Sequence, residues 1–588
     1  MKAKLSILIA ILMIGSMLFA ACQPATPAAE VKVEPTKASV PPTEKPAPTT
    51  APVEPTVAPT EAPVATEAPA EPVIKRGGIL KISLEADPTD LDPATNTAAV
   101  DTQVQNMVYE GLVTWNPETL APEPLLAKSW EIAEDGMTYT FHLQEGVKWS
   151  NGDPFVAADV KFTIDRITSG ALTDANYLSS IDNVEAVDDL TVVFHMKEPY
   201  APMLTNAPMV PLIQNKKFVE ENKGATTRVM MGTGPFILKE WVSDQVLRFE
   251  KNPNYWRAGE DGQPLPYLDG IEYIIAVDES ARITDFLSGV TDMVWAVPEK
   301  DITDLKENTS IALAGPQSVW FSSIFFNTKA APFDNKLVRQ AISWAVDRDE
   351  ICDVGLFGAA KPSYGAAFAD WHWEGNGPKV YTKRDVEKAK ALLAEAGFPD
   401  GKGIPEITIY AGAPYPSEIT AAEMIAAYLA DIGITAKVEP AEWGTFIDSI
   451  FAYKYPIYVV GWIGTGDPDD VYYQLFQSKS PMNLMQYNSP EVDALLEKAR
   501  QTPIQSERVD FYHQLEAILL EDVPQAFLMW HDEYQALYPY VMNFKHIPNN
   551  SSITVPEIWL DKINTFTQYC VFKSISGEKP FACSQRNG

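Results

Sequence analysis

The chain has 588 residues, 46% of them hydrophobic and 11% aromatic, enough for two or three domains with sizeable cores. Its 79 Asp and Glu residues against 46 Lys and Arg leave a formal charge of −33, which excludes nucleic acid as a partner, because phosphate binding needs cations gathered on one face. HExxH, HxH and CxxC spacings are missing, as are a GxSxG elbow and a complete phosphate or dinucleotide loop; the sequence therefore reads as a non-enzyme with no metal and no cofactor.

In chain order, Lys2 and Lys4 precede an apolar run from Leu5 to Phe19 that ends in Ala20-Ala21-Cys22. That is a secretory signal, too short for a stable span, and its end resembles a bacterial lipobox in which Cys22 is lipidated and becomes the mature N-terminus. Residues 23–76 are almost all Pro, Ala, Thr, Val or Glu. Such a segment cannot bury enough apolar surface to order itself and predicts an extended, disordered linker. Folded sequence begins at Gly77-Gly78-Ile79-Leu80-Lys81-Ile82, an alternating strand.

Residues 125–166 are the most informative stretch. Tyr139, Phe141 and Leu143 alternate with polar residues after the turn Glu134-Asp135-Gly136, which predicts a half-buried strand. A second short strand is expected at 147–149, a turn at Asn151-Gly152, and beyond Pro154 the spacing Val156, Val160, Ile164, Ile167 predicts a helix. Val156 cannot accept a bond from first-turn amides, so this helix start is expected to be weaker by about 1 kcal/mol. Further on, 385–396 and 418–432 read as helices and 407–410 and 436–439 as strands, an α/β lobe with crossover helices. Cys352 is expected to be a buried free thiol, and an exported chain permits a disulfide between Cys570 and Cys583.

Residues 125–166 and a series of ordered blocks resemble the family 5 extracellular solute-binding proteins, the peptide- and nickel-type receptors of ABC transporters. Those blocks include Tyr109-Glu110-Gly111-Leu112, Gly232-Thr233-Gly234-Pro235-Phe236, Asn252-Pro253-Asn254-Tyr255-Trp256, Phe325-Phe326-Asn327-Thr328 and residues 338–351 and 487–500. The resemblance covers about residues 77 to 560. It implies a two-lobed periplasmic-binding-protein-like α/β fold, type II, cluster C, with an extra small domain. It also implies a discontinuous domain I (77–119, 231–329 and 532–588 with the tail), a domain II (120–230) and a domain III (330–531). The implied role is a monomeric lipoprotein on the outer face of the bacterial cell membrane that captures a peptide between domains I and III and hands it to the permease.

The candidate ligand residues are Trp295, Trp320, Trp371, Trp373 and Trp462, whose flat faces order cheaply against an extended ligand, with Glu110, Thr465 and Asp467. The stretch Val459 to Asp470 resembles the family's loop in which a Trp packs on the ligand and an Asp shortly after it holds a peptide's amino group. Here Thr465 stands at the matching place and the nearest acids are Asp467 and Asp470. Either Asp467 takes the amine or the receptor does not grip a free N-terminus. An oligosaccharide or other small solute is the alternative ligand, and a tethered sensor feeding a membrane signalling protein is the alternative role.

Overall fold

The computed structural model describes residues 73–562 except 96–98, 170–177, 207–211, 366, 369, 371, 374, 414, 465 and 550. The signal segment, linker residues 23–72, Cys22, Cys570, Cys583, Trp371 and Thr465 lie outside the described residues; the last residues of the expected linker lie on the folded body, where Lys75 pairs with Asp561 and Arg76 with Asp261.

Three larger sheets organise the body. The seven-stranded sheet runs, in spatial order, Ala312–Ala314, Gln535–Leu537, Met293–Val294, Ile79–Leu84, Gly270–Ile275, Val246–Lys251 and Phe236–Val242. Ile79–Leu84 is parallel to both of its neighbours. Leu80, Ile82 and Leu84 alternate along it and bury one face in the core, while the other face carries Lys81 and the buried Ser83. The six-stranded sheet runs Ala360–Pro362, Gln525–His531, Trp320–Phe326, Ile457–Ile463, Ile407–Gly412 and Ala436–Ala441. A four-stranded antiparallel sheet holds Ala127–Ile132, Thr138–Leu143, Thr191–Met196 and Ile181–Asp188. Each sheet has its own apolar core.

Local chemistry accounts for the helix starts. Asp385 caps the helix Val386–Glu395 through the Lys388 N–H, and Ser489 caps Pro490–Gln501, with Pro490 in the first turn where its missing N–H costs nothing. The helix Ala157–Ser169 lacks a side-chain cap at Val156, but Asp159 reaches back and accepts the Val156 N–H at 3.2 Å, which makes good the missing cap. The expected strand at 147–149 is not one: Lys148 makes a single bridge to Pro154, and Trp149 folds into the core where its Nε1 donates to Asp159. The Gly-Thr-Gly motif also has a steric cause. A Cβ on Gly232 would lie 1.7 Å from the Val108 carbonyl oxygen and one on Gly234 2.7 Å from it. The two glycines let this segment lie directly on the backbone of Val108 and Tyr109.

Two adjacent chain segments join the large sheets. The chain leaves the seven-stranded sheet after Ala314 and enters the six-stranded sheet at Trp320; it returns from His531 to Gln535. The two crossings touch, with the Glu533 N–H donating to the Pro316 carbonyl and the Ser318 hydroxyl to the Glu533 carboxylate at 2.7 Å. Strand Trp320–Phe326 pairs on both sides within the six-stranded sheet. Residues 315–319 therefore carry the chain from one sheet to the other.

Candidate functional site: the cleft between two strand edges

Strand direction locates the site. In the six-stranded sheet Ile407–Gly412 is parallel to both Ala436–Ala441 and Ile457–Ile463. Their carboxyl ends, Gly412, Ala441 and Ile463, share an edge with His531 and with the start of strand Trp320–Phe326. In the seven-stranded sheet the carboxyl ends of Ile79–Leu84, Gly270–Ile275 and Met293–Val294 likewise share the edge from which Ala314 departs. Both crossings run from one of these edges to the other, so the two carboxyl edges face each other about a hinge. Ligands of open α/β sheets bind outside the carboxyl ends of parallel strands, where loops and helix starts converge.

On the six-stranded side, Trp462 is half-buried beside Phe321, its partner across the strand pair, and packs on the cluster that also holds Trp530 and Trp373. Trp320 is one residue from Phe321 and so faces the other side of the sheet. It lies flat on the His531 ring at 3.7 Å between centroids. Gly461 makes this stacking possible, because a Cβ there would lie 2.3 Å from Trp320 Nε1 and 2.8 Å from a Glu418 oxygen. Ile463, 51% exposed, and the half-exposed Tyr415 complete an open apolar edge. On the opposing edge Trp295 is 1% exposed, packs on Phe544, and leaves its Nε1–H without a protein acceptor.

The candidate acids are occupied by the fold. Asp467 is fully buried, caps the helix Pro468–Phe476 through the Asp469 N–H, and accepts from Arg508 and from Thr205 Oγ1 at 2.7 Å. Burial opposes its charge, but Arg508 and these donors outweigh burial and hold its pKa below the usual value. The Asp467 carboxylate thus has a cation of its own, which leaves little acceptor capacity for a ligand's amine. Glu110 is also buried. It accepts from Thr233 Oγ1, Tyr255 Oη and Trp256 Nε1 at 2.8–3.1 Å, tying together three of the sequence blocks, and burial raises its pKa. Trp373 sits half-buried under the Arg508 guanidinium, 5.4 Å from its ring centre.

The segment that follows the four-stranded sheet also touches the six-stranded side: Thr205 bonds Asp467, the Ala201 N–H donates to the Arg500 carbonyl, and Arg500, paired with Asp469, lies 5.3 Å over Tyr200. Sequence reasoning missed Arg500 and Arg508, which have no local signal, and the polar group around His531, whose members are spread from 299 to 533 and meet only in the fold. Among the described residues no helix is long and apolar enough to cross a membrane.

Two opposed strand edges on a two-segment hinge define a ligand-closing receptor of the periplasmic-binding kind. Residues 121–483 match the model of the bacterial extracellular solute-binding proteins, family 5 (middle), and the chain belongs to this family. It is 29% identical over 498 residues to di/tripeptide-binding protein 1 of Pseudomonas aeruginosa, a match that covers 79% of this chain and 91% of that one. The periplasmic binding protein DppA of Helicobacter pylori, solved with the peptide STSA, superposes with a TM-score of 0.71 at 28% identity, over 83% of this chain and 99% of that one. The PBP AgaA of A. tumefacien R10, solved with agropinic acid, gives 0.70 at 28%, over 82% and 99%. The chain is thus a solute-binding protein of the kind that serves ABC importers, and it is not an enzyme.

Proposed function

We propose that this protein captures di- or oligopeptides between the two carboxyl strand edges, closes about residues 315–319 and 532–534, and delivers the closed complex to an ABC permease. The observation that carries the reading is the pair of opposed edges joined by two touching crossings, with the partly exposed Trp320 and Trp462 on one of them. Ligand selects the closed member of an existing equilibrium, so no covalent step is required. The peptide relatives favour peptide as the cargo. A second reading, a small non-peptide solute, is favoured by the occupied Asp467 and by the agropinic acid relative at the same identity.

The same proposal keeps the 120–230 small domain around the four-stranded sheet, and it draws the hinge at 315–319 in place of 329. It also keeps lipid attachment at Cys22, a tethering linker, the Cys570–Cys583 disulfide, and a monomer as sequence-based expectations. Thermal melting of the purified protein against pools of dipeptides, tripeptides, sugars and organic acids tests the cargo, because saturation of a closing cleft must raise the melting temperature. A rise with peptides supports the first reading; a rise only with the other pools replaces it by the second.

A further inference from the structure

Across the hinge, on the side of Trp320, a closed set of polar groups belongs to both lobes. His531 ends its strand in the six-stranded sheet, and its Nδ1 lies 3.1 Å from Glu299 Oε1, on the turn Glu299–Asp301 of the other lobe. Its Nε2 lies 2.7 Å from Ser322 Oγ, and that hydroxyl lies 3.0 Å from Glu418 Oε1. Proton counting sets the state of the group as a whole. Glu418, Ser322 and His531 satisfy every contact when they hold three protons between them. Either Glu418 is ionised, Ser322 donates to it and the doubly protonated ring donates to Ser322 and Glu299, or Glu418, whose pKa burial raises, keeps a proton and donates to Ser322, which donates to Nε2 while Nδ1 donates to Glu299. With one proton fewer, Glu418, Glu299 or Nε2 loses its bond, and the contact between the lobes is weakened.

We propose that His531 is a proton-operated catch, on which proton uptake draws Glu299 onto the six-stranded lobe and favours the closed cleft. The groups that face it agree in sign. Glu418 lies above it on the helix Pro416–Asp431, and Glu533 and Asp532 follow it on the crossing. Asp532 is answered by Lys361 and Lys306, Lys300 is held by Glu279 and Asp301, and Glu85 stands near Glu533. Burial disfavours the charged ring, but Glu299, Glu418 and Glu533 outweigh it and raise the His531 pKa. Burial also pushes Glu533 up to about 7. Glu299 alone reaches His531 from the other lobe, so on this proposal the lobe contact favours the protonated group, closure takes up a proton, and closure is weakened as pH rises through the raised His531 pKa.

The inference rests on the hinge of the proposed function, and the test separates the two. The radius of gyration of the purified protein is measured by small-angle X-ray scattering from pH 8.5 to 5.5, for wild type, H531Q and E299Q, with and without a dipeptide mixture. The catch predicts that ligand-free wild type contracts as pH falls and that both variants lose this contraction. Each variant differs from wild type by at most about one charge out of −33, so general relief of repulsion is common to all of them. Glu299 lies on a surface turn, and E299Q therefore gives the reading even if H531Q fails to fold. A wild-type radius independent of pH, or equal contraction in all three, overturns the catch. Failure of the dipeptide mixture to contract wild type at any pH counts against the peptide reading alone.

Discussion

Arg508 grips Asp467 with both prongs of its guanidinium, Nη1 to Oδ2 at 2.9 Å and Nη2 to Oδ1 at 2.5 Å, and neither side chain is more than 6% exposed. Removing one partner of a buried pair strands the other, which typically costs about 3–5 kcal/mol. Arg508→Ala is expected to lower unfolding stability by that amount in urea titrations. A loss below about 1 kcal/mol would show that Asp467 is free to leave the pair, and would return it to the list of ligand groups.

The same pair sets an acid limit. The folded pKa of Asp467 is depressed, so its contribution is complete above the unfolded value near 3.9 and disappears as pH falls through the depressed folded value. Urea midpoints between pH 5 and pH 2 should fall more steeply in wild type than in Asp467→Asn. Parallel curves would assign the acid limb to other carboxylates.

Trp462 and Trp320 are expected to act on binding more than on folding, since both are only partly buried. Alanine at either position should weaken ligand binding about tenfold to hundredfold, the range of an aromatic anchor. Calorimetric titration with whichever pool raises the melting temperature provides the measurement. An unchanged affinity in both variants would move the site off this edge.

Glu110, in contrast, is expected to be silent in binding. Its three donors come from Thr233, Tyr255 and Trp256. Glu110→Gln sets an amide N–H₂ against those donors and should cost about 1–3 kcal/mol of stability with ligand affinity retained. An affinity loss without a stability loss would place Glu110 at the ligand instead.

Gly461→Ala tests the coupling between strand and site. The added Cβ must displace Trp320 from His531, so binding is expected to weaken and the tryptophan fluorescence to shift while the far-ultraviolet circular dichroism is kept. Unchanged fluorescence would mean that the stack yields without cost.

Local periodicity made much of the fold legible. Thr138–Leu143, Ala157–Ser169 and Val386–Glu395 formed where alternation and helical spacing predicted them. The segment at 147–149 failed because three residues with a buried Trp are too short for period to distinguish a strand from a packed turn. The candidate site was half legible. Aromatics in loops drew attention to Trp462 and Trp320, but Asp467 looked like a free acid because its cation, Arg508, comes from 41 residues further on. The His531 group had no signature at all, since its five polar members share no spacing and acquire meaning only from tertiary contact.

The position of Gln535–Leu537 between Ala312–Ala314 and Met293–Val294 bears on the order in which the molecule is made. The seven-stranded sheet begins with the first folded residues, yet one of its inner strands is supplied by a segment synthesised more than 450 residues later. A growing chain can complete the six-stranded sheet, all of whose strands fall between Trp320 and His531, while the earlier lobe still has an open seam. That lobe stays unfinished until the end of the chain arrives, a delay that suits a polypeptide which must cross a membrane before it folds.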